Sequence, residues 1–277
     1  MDTILIANDS WRAQAAEQAG VDRVMVDLEI IGKRERQKNF DSLISGHSLS
    51  DVSRLRSVLK RTLLMVRVNP MHDRTRDEVD ACTAAGADIL MLPMINHPAE
   101  ASQFVQTVGG RAKTCLLLET GPALARLQDI ISVPGIDEVH IGLNDLHLSL
   151  KLDFMFEVIS GGLIEYMAGT IRAKGIRFGI GGIARFGQGL VSPELVLSEH
   201  VRLGSSQVIL SRDYNRIFED CGDKLTVEVL RREIEQLQRC EKEIRRLGPQ
   251  IQAANSKKLK RAVDEVVGKR GRGAAAG

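Results

Sequence analysis

The sequence predicts an α/β protein, a (β/α)8 TIM barrel with an additional C-terminal helix. Short apolar runs alternate with stretches of helical periodicity, and the alternation repeats eight times in units of about 25–30 residues. Most of the runs are continuously apolar, which is typical of parallel strands buried on both faces. An open, doubly wound sheet would alternate in the same way. The absence of a GxGxxG motif after the first predicted strand favours the closed barrel.

The eight strands are predicted from runs rich in Val, Ile, Leu and Met that end at polar residues, glycine or proline. Pro70, for example, stops the third run. In chain order the predicted strands are residues 3–9, 23–29, 63–69, 88–95, 114–120, 138–145, 176–184 and 206–213.

Helices are predicted between these strands from capping residues and from apolar positions spaced three or four apart. Ser10 suits the start of the first helix and Gly20 its end, while Pro98 suits the first turn of another. A polar loop separates the second strand from the next helix. The predicted helices are residues 10–20, 49–61, 75–85, 98–108, 123–133, 155–173 and 192–203.

A longer helix is predicted at residues 216–247, after the eighth strand. Leu230, Ile234 and Leu237 belong to an apolar stripe that needs a partner surface. That surface is either the barrel of the same chain or another subunit with which the helix is exchanged. The sequence thus divides into a barrel domain (1–215), a C-terminal helical extension (216–252) and a basic, partly disordered tail (253–277).

Composition narrows the functional classes. No apolar run approaches the roughly 18 residues of a membrane-spanning helix, and the N-terminus lacks the pattern of a signal peptide, so we expect a cytoplasmic protein. The four cysteines form no CxxC pair, which argues against a zinc site. Residues 239–277 contain eleven basic and four acidic residues but no aromatic residue, so nucleic-acid binding is not expected.

Polar side chains follow several predicted strands at their carboxyl ends, where the active sites of TIM barrels lie. Glu119 lies at the end of the fifth predicted strand and Asp145 at the end of the sixth. Adjacent strands bring these carboxylates into one mouth, where they repel each other unless they share a proton or a cation. We therefore expect Glu119 and Asp145 to hold a divalent metal ion such as Mg²⁺, which prefers oxygen ligands. In the alternative, each carboxylate caps the following helix or pairs with an arginine.

Arg67 interrupts the otherwise apolar third strand, "LLMVRVN". A buried guanidinium is costly without an anionic partner. Its partner is either Asp27 or Glu29 at the end of the second strand, or a carboxylate of the substrate, which a guanidinium binds as a fork. A metal ion and an arginine around a 2-keto acid suit enolate chemistry, because the metal stabilises the negative charge that develops when a C–C bond breaks.

Five segments carry a family resemblance: "VMVDLE", "LLMVRVNP", "AGADILMLPMINHPAEA", "LLLETGPALARLQDIISVPGIDEVHIGLNDLHLSL" and "GIRFGIGGIA". Their order resembles that of the HpcH/HpaI aldolase and citrate lyase β-subunit family over residues 3–213. The resemblance implies a phosphoenolpyruvate/pyruvate-type TIM barrel that uses Mg²⁺ or Mn²⁺. It implies a carbon–carbon lyase, an aldehyde-lyase or oxo-acid-lyase of the class II metal-dependent aldolase type, acting through an enolate.

The resemblance also assigns residues. Glu119 and Asp145 match the two metal-ligand positions, and Arg67 matches the arginine that holds the substrate carboxylate. Glu29 matches an acidic position near the metal-bound waters. It further implies a small carboxylate or 2-keto acid as substrate and a homo-oligomer assembled through the C-terminal helix.

Two departures from the family pattern concern the proton transfer and the substrate. The aldolase branch has a histidine base where this chain has Ile30, so a water, Asp27 or a residue of another loop is left as the candidate base. The usual "GPND" loop is "GLND" here, with Gly142 and Asn144 as candidate substrate-binding residues. His140 and His147 flank this loop, and we expect His140 to be a core residue.

Three functions remain after these observations. The first is an aldolase or lyase acting on a pyruvate-like 2-keto acid. The second is cleavage of an acyl thioester, as in citrate lyase or malyl-CoA lyase. The third belongs to another class: a barrel that has lost its base and only binds a ligand or a partner protein.

Overall fold

Eight parallel strands form a closed barrel in which each strand pairs with its neighbours in chain order and the last pairs with the first. The predicted TIM barrel is therefore confirmed. The computed structural model describes residues 1–33 and 46–274. The strands are β1 (Asp2–Ile6), β2 (Arg23–Asp27), β3 (Leu63–Arg67), β4 (Ile89–Leu92), β5 (Lys113–Leu118), β6 (Glu138–Ile141), β7 (Arg177–Ile183) and β8 (Gln207–Leu210).

Helices surround the barrel and follow its strands, as the sequence predicts. Among the described residues, no helix combines the length and the apolar composition needed to cross a membrane. The helices of the described ranges are α1 (Ser10–Ala19), α2 (Leu49–Val58), α3 (Thr75–Ala84), α4 (Pro98–Val108), α5 (Gly121–Ala125), α6 (Leu127–Ile131), α7 (Leu143–Ser149), α8 (Glu157–Ser160), α9 (Leu163–Ala173), α10 (Pro193–Leu203), α11 (Arg212–Asp220), α12 (Asp223–Arg246) and α13 (Pro249–Ala274).

Side chains alternate along each strand between the barrel interior and the helix layer. The larger apolar core lies between sheet and helices, and a smaller one fills the interior. The smaller cluster consists of Ile4, Met25, Met65, Ile89, Met91, Cys115 and Leu117. In the register of β2 and β3, Met25 pairs with Met65, and the next interior pair toward the carboxyl end is Asp27 with Arg67. The barrel core therefore ends in charged residues at the active-site face.

The strands end earlier than predicted, and this changes the place of one site residue. The predicted strand 138–145 ends at Ile141, and Asp145 lies in the first turn of α7. The predicted helices 123–133 and 155–173 are each divided into two helices. Most of the polar loop predicted after the second strand lies outside the described residues.

The C-terminal segment differs most from the prediction. The single helix expected at 216–247 is two helices, α11 and α12, and α13 lies within the predicted tail and ends at Ala274. Residues 275–277 lie outside the described ranges. The predicted apolar stripe of α12 is buried, and α12 packs on α1 and α10 of the same chain. Helix α13 covers α10 and α8. Exchange of these helices between subunits stays a prediction.

Candidate active site

The side chains of Asp27 and Arg67 form a two-point ion pair at the carboxyl end of the barrel. Arg67 Nε donates to Asp27 Oδ1 at 2.8 Å, and Arg67 Nη2 donates to Asp27 Oδ2 at 2.7 Å. Glu29 Oε2 lies 3.5 Å from Arg67 Nε. Neighbouring strands in register bring the pair together, since Asp27 and Arg67 are paired positions of β2 and β3. Of the partners considered for Arg67, the structure thus places the protein's own carboxylates against it.

Lys33 is a member of this cluster that the sequence analysis missed. Its Nζ donates to Asp27 Oδ2 at 2.6 Å and lies 3.7 Å from Glu29 Oε2, and the residue is only 4% exposed. The signal in the sequence was a lysine four residues after Glu29 and directly after Gly32. In the structure Gly32 has a φ of 70°. A lysine with so little exposure needs carboxylate partners, and here it has two.

The charge state of Asp27 follows from these contacts. Burial by itself would raise the pKa of Asp27, but the guanidinium of Arg67 and the ammonium of Lys33 outweigh it and lower the pKa well below its usual range. The same pairing raises the pKa of Arg67 against the effect of its own burial. Asp27 is therefore a firmly ionised anchor for Arg67, and such a carboxylate is a weak proton acceptor.

Glu119 projects from the end of β5 and is 3% exposed. Its Oε1 accepts one hydrogen bond, from the backbone N–H of Met94 at 3.1 Å. Met94 has a φ of 56°, a left-handed conformation that is uncommon outside glycine. Burial, and secondly the charge of Asp145, raise the pKa of Glu119 well above its usual value. The two carboxylates predicted to share a metal ion are thus close enough for the charge of Asp145 to oppose the ionisation of Glu119.

The loop "GLND" places Asp145 beside Glu119. Gly142 precedes α7, and Asp145 lies in the first turn of that helix, where the helix dipole favours a carboxylate. Gly142 also makes room for Glu119, because a Cβ at position 142 would lie 2.6 Å from Glu119 Oε2 and 2.8 Å from Glu119 Cβ. The structure therefore gives Gly142 a packing role beside one predicted metal ligand. Asn144 is exposed at the same mouth.

A metal ion at this mouth would need oxygen donors from Glu119 and Asp145. Within the described ranges, no group of three or more His, Cys, Asp and Glu side chains is arranged to hold one. Mg²⁺, however, is commonly bound by only one or two carboxylates, with water and substrate oxygens completing the shell. Glu119 and Asp145 fit that mode. A divalent cation would offset the burial of Glu119 and the nearby charge of Asp145, which together oppose the ionisation of Glu119.

A cavity of about 460 Å³ joins these residues. Arg67, Glu119 and Asp145 line one part of it, together with Gly142 and Asn144. Asp27 and Glu29 do not line it but lie behind Arg67, to which both are close. The predicted site residues therefore divide into a group that faces the cavity and a group that holds Arg67.

His140 lies at the floor of the cavity inside the barrel. Its Nε2 and the carbonyl oxygen of Gly181 are 2.9 Å apart, and the residue is 1% exposed. Burial lowers its pKa to about 4, so the ring is neutral at pH 7. The adjacent strand β7 leaves space for the ring, because a Cβ on Gly179 would collide with His140 Nδ1. The expected core position of His140 is confirmed.

Ile30, which stands where the aldolase branch has a histidine base, does not line the cavity. Its side chain is 59% exposed. The backbone N–H groups of Ile30 and Ile31 donate to Asn69 Oδ1 at 2.9 and 3.0 Å, which fixes the chain just after β2. Ile30, the apolar residue in the place of the histidine, is therefore not part of the cavity lining.

Comparison with known proteins agrees with this fold. No curated protein matches the sequence. Solved structures of low sequence identity share the fold. An HpcH/HpaI aldolase from Desulfitobacterium hafniense DCB-2 is 15% identical, with 90% of this chain and 94% of that chain covered and a TM-score of 0.59. An HpcH/HpaI aldolase/citrate lyase family protein from Burkholderia cenocepacia J2315 is 17% identical, with 83% and 94% covered and a TM-score of 0.61.

A third similar structure is the citrate synthase SbnG, at 15% identity, with 82% of this chain and 92% of that chain covered and a TM-score of 0.61. The sequence model of the HpcH/HpaI aldolase/citrate lyase family matches residues 5–157, which include β2 to β6 and the cavity residues Arg67, Glu119 and Asp145. The chain therefore belongs to the HpcH/HpaI aldolase/citrate lyase family.

Proposed function

We propose that this protein is a divalent-metal-dependent carbon–carbon lyase or aldolase that acts through the enolate of a pyruvate-like 2-keto acid. The observation that carries the proposal is the convergence of Arg67, Glu119 and Asp145 on one cavity. A cation site next to a guanidinium matches the two adjacent oxygen groups of a 2-keto acid, its keto oxygen and its carboxylate.

Each part of the site has a separate task. Mg²⁺ or Mn²⁺ held by Glu119 and Asp145 would supply positive charge where the enolate oxygen develops its negative charge. Arg67 binds the substrate carboxylate with the part of its guanidinium that faces the cavity. Asp27, with Glu29 and Lys33 around it, holds Arg67 in one orientation, so that less conformational entropy is lost on binding. Asn144 contributes an amide at the mouth.

The reaction balances without an oxidant or a reductant. In the direction of synthesis, the methyl group of pyruvate loses one proton and its carbon forms a bond with the carbonyl carbon of an aldehyde. The aldehyde oxygen gains a proton, and the product is a 4-hydroxy-2-oxo acid. In the direction of cleavage the same bond breaks and the same protons return.

Exchange of the pyruvate methyl protons for deuterium tests the proposal, since it needs the enolate but no second reactant. Protein freed of metal by a chelator is mixed with pyruvate in deuterated buffer, with and without Mg²⁺ or Mn²⁺, and the methyl signal is followed by NMR. We expect metal-dependent exchange that falls about 100-fold or more in Glu119→Ala and Asp145→Ala. Asp129→Ala is the matched control, because Asp129 is an exposed carboxylate on α6.

The position of Ile30 favours one alternative, a barrel that binds a ligand without catalysis. Titration with Mn²⁺, followed by electron paramagnetic resonance, separates the outcomes. Binding of Mn²⁺ without exchange would redirect the search to acyl-thioester substrates. Absence of both Mn²⁺ binding and methyl-proton exchange would contradict the proposed enzymatic function and favour a protein that only binds a ligand.

A further inference from the structure

The cavity has a second, apolar part that the proposed pyruvate site does not use. Two loops form it, the one between α7 and α8 and the one between β7 and α10. Phe154 and Phe156 come from the first loop, and Leu190 and Val191 from the second. We call these four residues the apolar wall. The same cavity contains Glu119 and Asp145, so the wall and the carboxylates enclose one continuous space.

Three members of the wall are fixed in place. Phe154 and Phe156 are 5% and 8% exposed and contact each other edge to face, with ring centroids 5.3 Å apart. Val191 is 4% exposed. From outside, Arg270 of α13 lies over the ring of Phe154, with its Cζ 5.0 Å from the centroid. The wall is therefore a preformed surface and loses little entropy when a ligand contacts it.

Leu190 differs from the other three because 66% of it is exposed. A leucine side chain at the rim of a cavity gains free energy when a ligand covers it. Its neighbour Gly189 has a φ of 88°, a left-handed conformation that sets the direction of the loop at this point.

Two of the polar residues at the end of β8, Ser211 and Asp213, are already engaged with each other. Ser211 is the N-cap of α11, and its Oγ lies 3.1 Å from Asp213 Oδ2. Asp213 Oδ1 accepts from Arg216 at 3.1 Å. A hydroxyl-rich ligand would compete with these bonds, whereas an apolar group only needs the wall.

We propose that the apolar wall is the subsite of the second reactant, and that this reactant is an aldehyde with an alkyl or aryl substituent rather than a hydroxylated one. The inference rests on the proposed aldolase function. The carbonyl carbon of the aldehyde faces the pyruvate site, while its substituent lies against Phe154, Phe156 and Leu190.

Substrate preference tests the subsite. With pyruvate and Mg²⁺ present, kcat/KM is measured for propanal, butanal, pentanal and hexanal, and for glycolaldehyde and glyceraldehyde. We expect kcat/KM to rise up to about fourfold for each added methylene and the hydroxylated aldehydes to be the poorest acceptors. Leu190→Asp lowers the ratio of hexanal to glycolaldehyde about tenfold. Leu225→Asp leaves the ratio of hexanal to glycolaldehyde unchanged, since Leu225 is 59% exposed on α12 and does not line the cavity.

A binding measurement on the metal-free protein keeps the subsite testable if the enzyme proposal fails. Saturation-transfer NMR with 1-hexanol and with glycerol reports contact without any reaction. We expect a hexanol signal that is weakened by Leu190→Asp and retained in Leu225→Asp. Equal signals from hexanol and glycerol, an unchanged signal in Leu190→Asp, or a preference for glycolaldehyde would overturn the apolar subsite. Absence of methyl-proton exchange from pyruvate in the native protein would overturn the proposed aldolase function but not the apolar subsite.

Discussion

Gly142 illustrates how a single position supports a charged neighbour. The carboxylate and the Cβ of Glu119 occupy the space that a side chain at position 142 would need. The residue type was visible in the "GLND" loop, and the sequence analysis assigned it to substrate binding. Its contact with Glu119 required the tertiary structure, because β5 and β6 meet only in the closed sheet.

We predict that Gly142→Ala displaces Glu119 and weakens Mn²⁺ binding at least tenfold, because the added Cβ would lie 2.6 Å from Glu119 Oε2. Titration with Mn²⁺ under electron paramagnetic resonance measures this. Gly169→Ala is the control: nothing lies within 4 Å of its added Cβ, and it is in the helix α9. Native-like Mn²⁺ affinity in Gly142→Ala would show that Glu119 is not held where metal binding needs it.

Two buried histidines give the protein a specific sensitivity to acid. Burial lowers the pKa of His200 to about 3 and that of His140 to about 4, from 6.5 in the unfolded chain. Between pH 6.5 and these values the unfolded chain binds protons that the folded one does not, so stability is lost as the pH falls. The raised pKa of Glu119 acts in the opposite sense, since the folded state then retains a proton.

We predict that the lowered pKa of His200 reduces the unfolding free energy of the native protein by about 2 kcal/mol as the pH falls from 7 to 5. The His200→Gln variant should lose that much less over the same interval, as measured by urea denaturation at each pH. His97→Asn is the comparison, because His97 is exposed at the start of α4. Parallel pH profiles for native protein and His200→Gln would refute the assignment.

Among the helices and strands, α13 is the element whose packing on the barrel the sequence did not indicate. Its many lysines and arginines suggested disorder, but Leu259 and Val263 of this helix are 1% and 0% exposed. The basic residues 257, 258, 260 and 261 are exposed, which agrees with a solvated helix face.

We predict that Leu259→Ala lowers the unfolding free energy by about 2–5 kcal/mol, the usual cost of a cavity at a buried leucine. Ile251→Ala, on the same helix but 51% exposed, should change it by less than about 1 kcal/mol. Thermal and urea unfolding followed by circular dichroism measure both. A Leu259→Ala variant as stable as the native protein would mean that α13 does not pack on α10 in solution.

At the scale of the whole molecule, the expected assembly stays a prediction. The buried stripe of α12 contacts helices of its own barrel, and the family resemblance suggests association through this region. We predict a homo-oligomer, detected as a mass of at least twice 30.5 kDa by light scattering or sedimentation. A chain truncated at residue 215 that stays soluble with the same number of subunits per particle would contradict a role of the C-terminal helices.

The sequence by itself determined the barrel and the residue types of its mouth. Eight alternations of apolar strand and helix are a local pattern, and strand ends carry their polar residues in the order of the chain. Glu119, Asp145 and Arg67 could therefore be named in advance. Asp27 and Glu29 could be named as alternative partners of Arg67.

Only the tertiary structure decided which of the charged residues form ion pairs with one another. Asp27 binds two nitrogens of Arg67 because the register between β2 and β3 pairs their positions, and no local pattern encodes that register. Lys33 completes the cluster, and Ile30 is exposed. The apolar wall is likewise made of loops more than thirty residues apart in the chain. Local periodicity thus specifies the elements, whereas the packing of distant segments specifies the site.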